Sequence, residues 1–258
     1  MANYLGNNRL KLNDDKTHLL MLTTEQKRRV ITIDTKINTP MGDIKPKKSE
    51  KLLGIIIQDD LKWTEYILKD EKSLIKQLNS RLNALKIISK VASFKVRLMI
   101  ANGIFCSKLI FQISLWGGTE EYLLQALQVV QNKAARFVAR RGKYTPVAEL
   151  LKECGWLGVK QLVFYHSVIL IYKSVHNTYP KYIYNKLSTQ FPYNTRLAQS
   201  DSVRMGSEFK SKLELTEKSF MHRSTISYNQ LPPERRRTPE LAIFKKNLKV
   251  WVQENVKI

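Results

Sequence analysis

The clearest pattern along the chain is a helical one, which begins after Trp63. The first predicted helix has leucines at steps of four, four and three, a spacing that places them on one helix face. They are Leu74, Leu78, Leu82 and Leu85. Lys76 and Lys86 fall on the opposite face. The next stretch, from Phe94 to Trp116, is apolar nearly all round and predicts a buried helix that ends at Gly117 and Gly118.

A third helix is predicted to follow, with one apolar and one polar face. The apolar face carries Leu123, Leu127, Val130, Ala134 and Phe137, and the polar face carries Gln128, Gln131, Asn132, Lys133, Arg136 and Arg140. Lys133, Arg136 and Arg140 are three and four residues apart and therefore share one side of the helix. Three helices of this kind, one of them apolar nearly all round, predict a helical bundle.

The stretch RRGKYTP, residues 140–146, interrupts the helical pattern and marks a boundary. Beyond it, VAELLKECG predicts a short helix that ends at a glycine, and VKQLVFYHSVILIYKSVH predicts a strongly apolar helix before Pro180. His166 lies inside that apolar helix and is predicted to be a hydrogen-bonded core residue. A last amphipathic helix is predicted through Leu241, Phe244, Leu248 and Trp251.

Residues 1–63 have a strand-like pattern instead. THLLML, RRVITIDTKINT and KLLGIIIQ predict strands, PMGD predicts a turn, and the charged run KPKKSEK predicts a solvated loop. The chain is therefore predicted to be mainly α with a small β unit, an α+β fold class. Its predicted domains are a β-rich unit over 1–63, a helical unit over 64–141 and a C-terminal helical region over 142–258.

The net charge of the chain predicts the kind of partner that it binds. The chain has 258 residues with 44 Lys and Arg against 22 Asp and Glu, a net charge of +22. Such an excess favours a polyanionic partner, and nucleic acid is the first candidate, with an anionic membrane surface as the alternative. Arg97, Asn102, Lys108 and Gln112 interrupt the most apolar run and make a membrane span costly. Cys106 and Cys154 are predicted to be reduced core residues of an intracellular protein, nuclear or cytoplasmic.

Two pairs of adjacent aspartates, Asp14–Asp15 and Asp59–Asp60, suggest a metal centre at first sight. Two-metal chemistry needs carboxylates that converge from separate strands, whereas adjacent strand residues point to opposite faces. The first pair is instead predicted to form a turn, and one aspartate of the second pair to cap the next helix. Phosphate-binding glycine loops, GxSxG and HExxH are also absent from the sequence, so these residues predict no active site in the chain.

Several segments resemble the reverse transcriptases of non-LTR retrotransposons similar to the jockey group. LKLNDDKTHLLML resembles the late palm segment, and KLLGIIIQDDLKW resembles the primer-grip strand that follows it. The resemblance continues downstream in the order and spacing of SKLIFQISLWGG, LQVVQNKAARFV, TPVAELLKECGWLGVKQL and LPPERRRTPELAIFKKNLKVW. It covers essentially the whole chain and departs from many relatives at Gln58, where they have an acidic residue.

The resemblance implies the end of a palm with its primer grip over 1–63, a thumb over 64–141, and a C-terminal helical region over 142–258. It also implies that the catalytic aspartates, the fingers and the endonuclease of the parent protein would lie upstream of Met1. This chain alone is therefore expected to be inactive as a polymerase and to hold no cofactor, whereas the intact polymerase would use Mg²⁺. Lys16 is a possible leaving-group assistant in the intact enzyme, although a solvated turn lysine is the favoured interpretation.

The function predicted on this basis is binding of an RNA–DNA or RNA primer–template through its backbone phosphates. The predicted contacts are Leu53, Gly54, Lys62, Trp63, Lys76, Lys86, Lys133, Arg136, Arg140, Arg141 and Lys143. The run from Lys133 to Lys143 is interpreted as a ridge without interleaved aromatics, which suits a duplex. The cluster Arg235–Arg237 is the alternative location. Two other interpretations remain open: a stand-alone basic RNA- or DNA-binding module, and a structural helical protein whose charge keeps it soluble.

Overall fold

The computed structural model describes residues 7–9, 13, 16–23, 27, 36–39, 42–88, 92–176, 180–188, 202–205 and 214–258. Most of these residues are helical, and a few short strands accompany them, so the predicted fold class of mainly α with a small β part is confirmed. The chain divides into two compact units, Met1–Leu74 and Ile75–Ile258.

The first unit contains three pairs of short strands. β1 (Leu19–Leu20) pairs in parallel with β4 (Pro46–Lys47), β2 (Ile37–Thr39) pairs antiparallel with β3 (Gly42–Ile44), and β5 (Ser49–Leu52) pairs antiparallel with β6 (Ile55–Gln58). The strand predicted over residues 30–35 lies outside the described residues. The loop predicted for KPKKSEK is wrong, because backbone pairing places Pro46–Lys47 and the residues from Ser49 onward in strands.

The stretch KLLGIIIQ also differs from its prediction. It is not one strand but a hairpin, because a two-residue turn at Leu53 and Gly54 returns the chain and pairs Leu52 with Ile55. After this hairpin, the predicted aspartate cap is wrong as well. The Asp60 side chain accepts a hydrogen bond from the Lys62 backbone N–H at 3.0 Å and does not cap a helix. A π-helical stretch, Glu65–Lys69, follows. The Gln58 side chain accepts from the backbone N–H of its first residue, Glu65, at 2.9 Å.

The second unit is helical. Its helices are α1 (Leu74–Ile88, whose first residue falls in the first unit), α2 (Phe94–Ala101), α3 (Ser107–Leu109), α4 (Ile113–Trp116), α5 (Glu121–Ala139), α6 (Val147–Cys154), α7 (Val159–Val175), α8 (Lys181–Tyr184), α9 (Glu214–Lys218), α10 (Phe220–Asn229), α11 (Pro233–Arg236) and α12 (Leu241–Asn255). A short antiparallel pair, β7 (Leu187–Ser188) and β8 (Arg204–Met205), accompanies them. The leucine stripe predicted for α1 is buried throughout.

The single helix predicted from Phe94 to Trp116 is wrong. A π-helical stretch, Asn102–Cys106, follows α2, and α3 ends at Leu109 before Gln112 takes a left-handed φ of 51°. The Trp116 indole N–H closes this bend by donating to the Phe111 carbonyl at 2.9 Å. An apolar pattern identifies buried residues, but it carries no signal for a reversal inside a buried stretch.

The glycines that end this region serve close packing rather than a left-handed cap. Gly117 has an ordinary φ of −68°, and a Cβ there would lie 2.6 Å from a methyl carbon of Val163. A Cβ on Gly118 would lie 2.0 Å from the carbonyl oxygen of Lys218. Larger residues at these two positions would therefore separate the end of α4 from α7 and from the end of α9.

α7 is the central helix of the second unit. Its residues pack against α4, α5, α8, α10 and α12, which explains why its sequence is apolar on nearly every face. Tyr172 stacks on Phe244 of α12 with ring centroids 3.8 Å apart, and Phe164 stacks on Trp251 at 5.4 Å. Within the described ranges, no single helix is long and apolar enough to span a membrane, although the bent pair α6 and α7 passes by length and composition.

Polar side chains of α5 form hydrogen bonds with the backbone at the start of α7. Gln131, which the sequence places on an exposed face, is buried and donates to the Leu157 carbonyl at 2.8 Å. Gln128 accepts from the Val159 N–H at 2.7 Å and thereby satisfies a free donor at the α7 N-terminus. The polar face predicted for α5 is therefore only partly a solvent face.

The two cysteines are free thiols, as predicted. Cys154 is buried, and Cys106 is half-buried. Burial raises the pKa of Cys106 to about 12 and the pKa of Cys154 to about 11. His166, predicted to be a core residue, is half-buried, and burial together with the nearby charge of Lys245 lowers its pKa.

Candidate nucleic-acid interface

The predicted basic ridge lies at the C-terminal end of α5. The apolar face of that helix is buried through Leu123, Leu127, Val130 and Ala134, as the sequence predicts. The helix ends at Ala139, and Arg140 takes a left-handed conformation with φ at 52°. The Arg141 N–H then bonds the Arg136 carbonyl at 3.1 Å, which is a usual way to close a helix. Arg140 is thus the capping residue rather than a member of the helix face predicted from its spacing.

A buried arginine supports this helix end from within the unit. Arg97 of α2 is 5% exposed, and its Nε donates to the Val138 carbonyl of α5 at 2.8 Å. Its Nη1 donates to the Ala92 carbonyl at 2.7 Å. Burial, with a smaller contribution from the positive charge of Arg140, lowers the pKa of Arg97. One buried cation therefore satisfies a carbonyl at the end of α5 and another just before α2.

The loop between α5 and α6, residues 140–146, is a compact turn. The Thr145 N–H bonds the Gly142 carbonyl at 3.3 Å, and this bond places Lys143 and Tyr144 at the tip. Arg141 donates through Nε to Glu153 of α6 at 3.2 Å. Contacts at both ends of the loop therefore fix the position of its tip, where Lys143 is exposed and Tyr144 is 95% exposed.

The predicted ridge residues differ in how far they reach solvent. Lys133, Arg140, Arg141 and Lys143 are exposed, whereas Arg136 is half-buried and its Nε has no hydrogen-bond partner among the described residues. The exposed part of the ridge therefore runs from Lys133 into the loop. We refer to Arg140, Arg141, Lys143 and Tyr144 as the loop cluster.

Other predicted contacts lie elsewhere. Lys76 and Lys86 are exposed on α1, as their spacing predicts. In the first unit, Lys62 is exposed and lies 3.7 Å from the Asp60 carboxylate. Trp63 is half-buried and meets the ring of Tyr66 edge-on at 6.4 Å, so part of its surface serves packing.

Leu53 and Gly54 form the tip of the β5–β6 hairpin. Both have positive φ, 48° and 89°, as the two central residues of a type I′ turn require. Leu53 is 81% exposed, and Leu52 beside it is 55% exposed. The predicted primer-grip segment thus presents two apolar side chains to solvent at a tight turn.

The carboxylate pairs bring no metal centre together within the described residues. No group of three or more His, Cys, Asp or Glu side chains there is placed to hold a metal ion. Asp14 and Asp15 lie outside the described residues. Lys16 is exposed, and its backbone N–H bonds the Asn13 carbonyl at 3.2 Å, so it lies in a turn.

The alternative cluster Arg235–Arg237 has internal roles. Arg235 donates to the Asn247 carbonyl at 2.8 Å. Arg236 is 4% exposed, donates to the Ser202 hydroxyl at 2.8 Å and lies 5.9 Å from the centre of the Tyr228 ring. Only Arg237 has an exposed side chain in this cluster. Two of its three charges therefore stabilise the fold.

Tyr144 is the residue of this surface that sequence reasoning misses. It is the most exposed of the large apolar side chains in the described part of the chain, and it borders a cleft of about 460 Å³. The cleft is lined by Arg141, Tyr144, Thr145, Pro146, Glu149 and Glu153. The only signal in the sequence is the placement of a tyrosine between Lys143 and the Thr145–Pro146 turn residues.

A comparison with protein-family models finds no match to this chain, and comparisons with curated proteins and with solved structures find no match either.

Proposed function

We propose that this chain binds the phosphate backbone of an RNA–DNA or RNA primer–template, as the late palm, thumb and C-terminal part of a non-LTR retrotransposon reverse transcriptase. The observation that carries the proposal is the loop cluster, where three exposed cations surround the turn that follows α5. The net charge of +22 supports the same partner, because phosphates relieve the mutual repulsion of the cations.

The hydrogen bonds that hold the backbone of the loop cluster also support the proposal. Arg97 already donates to the Val138 carbonyl of α5, and the backbone N–H groups of Arg140 and Arg141 bond the Phe137 and Arg136 carbonyls. The backbone at the end of α5 is thus hydrogen-bonded within the chain, while the side chains of Arg140 and Lys143 are exposed to solvent. Because the backbone of this turn is already fixed, binding of a phosphate would have to order only the exposed side chains and not the loop itself.

A salt titration tests the proposal. The affinity for an RNA–DNA hybrid duplex is measured across salt concentrations for the wild type and for the double variant Arg140→Gln, Lys143→Gln. Each lost phosphate contact lowers the slope of log affinity against log salt by about 1, so we expect a decrease of about 2. Because phosphates carry no sequence information, hybrids of different sequence should weaken equally.

The matched control is Lys246→Gln, Lys257→Gln, which removes the same charge from exposed residues of α12 and of the C-terminus. This control should leave the slope near the wild-type value. If both double variants lower the slope equally, the charge acts only through the net total, and the loop cluster has no special role. Absence of hybrid binding by the wild type would contradict the proposed function itself.

A stand-alone basic RNA- or DNA-binding module would use the same loop cluster. The reading frame distinguishes the two: a continuous frame that encodes an aromatic-Ala-Asp-Asp hairpin upstream of the Met1 codon supports the polymerase origin. A transcript that begins at Met1 supports the stand-alone module.

A further inference from the structure

We propose that Tyr144 is a stacking platform for an unpaired nucleobase, so that the loop cluster binds a junction between duplex and single-stranded nucleic acid. This inference rests on the proposed function and names its substrate more narrowly. It also adds an aromatic side chain to the basic surface, since Tyr144 directly follows Lys143.

The exposure of the Tyr144 ring is the first argument. Both faces of a side chain that is 95% exposed are open to a ligand. Other exposed tyrosines reach lower values, 52% for Tyr122 and 67% for Tyr182. Stacking on a base would cover the apolar ring and leave its hydroxyl in water, as tyrosine prefers at interfaces.

The second argument is that the backbone carrying Tyr144 is held in position. The Thr145–Gly142 backbone bond fixes the turn, the Arg141–Glu153 ion pair joins the loop to α6, and Arg97 secures the end of α5. The backbone that carries the ring is therefore preorganised, and binding has to order only the two side-chain torsions of Tyr144.

The third argument is the arrangement of charge around the ring. Arg140, Arg141 and Lys143 precede Tyr144 in the loop, and the cleft that Tyr144 borders also contains Glu149 and the ion pair of Arg141 with Glu153 at 3.2 Å. The carboxylate of Glu149 can accept a hydrogen bond from the amino group of a base. The loop therefore offers cations to a phosphate and an exposed ring, with an acceptor nearby, to a base.

This combination of cations and an exposed aromatic ring is the usual chemistry of single-strand binding. Stacked bases need an aromatic surface, and the backbone needs a positive path beside it. A nucleotide carries a charged phosphate and an uncharged base, which suit the cations of this loop and the exposed ring of Tyr144.

The test compares two RNA–DNA hybrids of identical duplex sequence, one blunt and one with a short unpaired extension at either end. Binding is measured for the wild type, Tyr144→Ala, Tyr144→Trp and the control Tyr122→Ala, which removes a half-exposed tyrosine from the other end of α5. We expect Tyr144→Ala to lose roughly 5- to 150-fold in affinity for the extended hybrid and to bind the blunt hybrid like the wild type.

Tyr144→Trp should retain the preference for the extended hybrid, and Tyr122→Ala should behave like the wild type. A 2-aminopurine placed at the first unpaired position gives a direct signal, because stacking on Tyr144 quenches its fluorescence and Tyr144→Ala removes that quenching. Circular dichroism of each variant checks that the fold is retained.

The outcomes separate the two proposals. If the wild type binds both hybrids equally and Tyr144→Ala changes neither, the stacking platform is wrong and the proposed function stands. If Tyr144→Ala weakens both hybrids equally, the ring contacts duplex, and the platform is again wrong. If the wild type binds neither hybrid, the proposed function and the inference fail together.

Discussion

The two ends of α5 carry opposite charges and use them differently. At the N-terminal end, Glu121 lies 2.7 Å from Lys160, and Glu120 lies 3.6 Å from Lys218, so acids and bases are paired on the surface. At the C-terminal end, the loop cluster has three cations, and Glu153 lies 3.2 Å from Arg141. Both ends complement the helix dipole, which favours anions at the N-terminus and cations at the C-terminus.

This difference teaches that dipole complementarity alone does not mark a ligand site. The N-terminal charges are complementary to the dipole and are also neutralised by neighbours within the chain. At the C-terminal end, Arg97 already supplies a buried cation to the Val138 carbonyl, and the side chains of Arg140, Arg141 and Lys143 are exposed beyond it. The number of exposed cations in one short loop, and not the helix dipole, is the reason that we propose a polyanion at this end.

The largest effect should come from Arg97, which supports only the C-terminal end. Arg97→Met removes the donors to two carbonyls, Val138 and Ala92, and should lower the free energy of unfolding by about 3 kcal/mol, since unsatisfied buried groups are costly. Urea unfolding measures this loss. Arg97→Lys, which can still reach one carbonyl, should lose less. Equal stability of the methionine variant and the wild type would show that this end does not depend on Arg97.

At the N-terminal end of α5, we expect a smaller effect on the free energy of unfolding, which appears as a dependence on pH. The hydrogen bond from Lys160 lowers the pKa of Glu121 below its ordinary range. A carboxyl whose pKa is lower in the folded state stabilises the fold above its ordinary pKa, and this stabilisation disappears as pH falls through the folded value. Because Glu121 is 55% exposed, the contribution should be below about 0.5 kcal/mol.

Urea midpoints measured at neutral and at acid pH check this prediction. Glu121→Gln should unfold with a slightly smaller acid dependence than the wild type, and Glu149→Gln, which changes another exposed acid, serves as its control. A large loss of stability in Glu121→Gln at neutral pH would mean that the surface pair matters as much as buried Arg97.

The smallest effect concerns nucleic-acid binding after the N-terminal pairs are broken. The double variant Glu120→Gln, Glu121→Gln leaves Lys160 and Lys218 without these acidic partners. The two ends of α5 are about 27 Å apart by helix rise, whereas the Debye length is about 10 Å at 0.1 M salt. Hybrid affinity and its salt slope should therefore stay near the wild-type values. A slope that increases by about 2 would show that both ends bind phosphates.

Sequence periodicity predicted the helices whose apolar residues lie on a single face. The leucines of α1 and the predicted apolar face of α5 from Leu123 to Ala134 are buried where their spacing places them, because residues at helical spacing share one face that packs against a neighbour. Phe137, the last residue predicted for that face, is half-buried. The stretch from Phe94 to Trp116 was predicted less well. Its residues are apolar in every direction, so the pattern did not register the bend at Gln112.

The candidate site depends on details that spacing does not contain. Counting residues along α5 placed Arg136 and Arg140 together, but the helix ends before Arg140, and Arg136 is half-buried. The β5–β6 hairpin shows the same limit, since only the positive φ of Leu53 and Gly54 reveals a turn inside an apolar run. Tyr144 is recognised by its exposure, which follows from the loop and not from its neighbours in sequence.

The two raised thiol pKa values have a practical consequence for labelling. With values of about 12 for Cys106 and about 11 for Cys154, at most about one thiol in ten thousand is a reactive thiolate at pH 7. Both native cysteines should therefore react slowly with maleimides while the protein is folded. A single reporter introduced by Lys143→Cys at the loop tip would be modified first, so a dye or a crosslinker can be attached there without removing either native thiol.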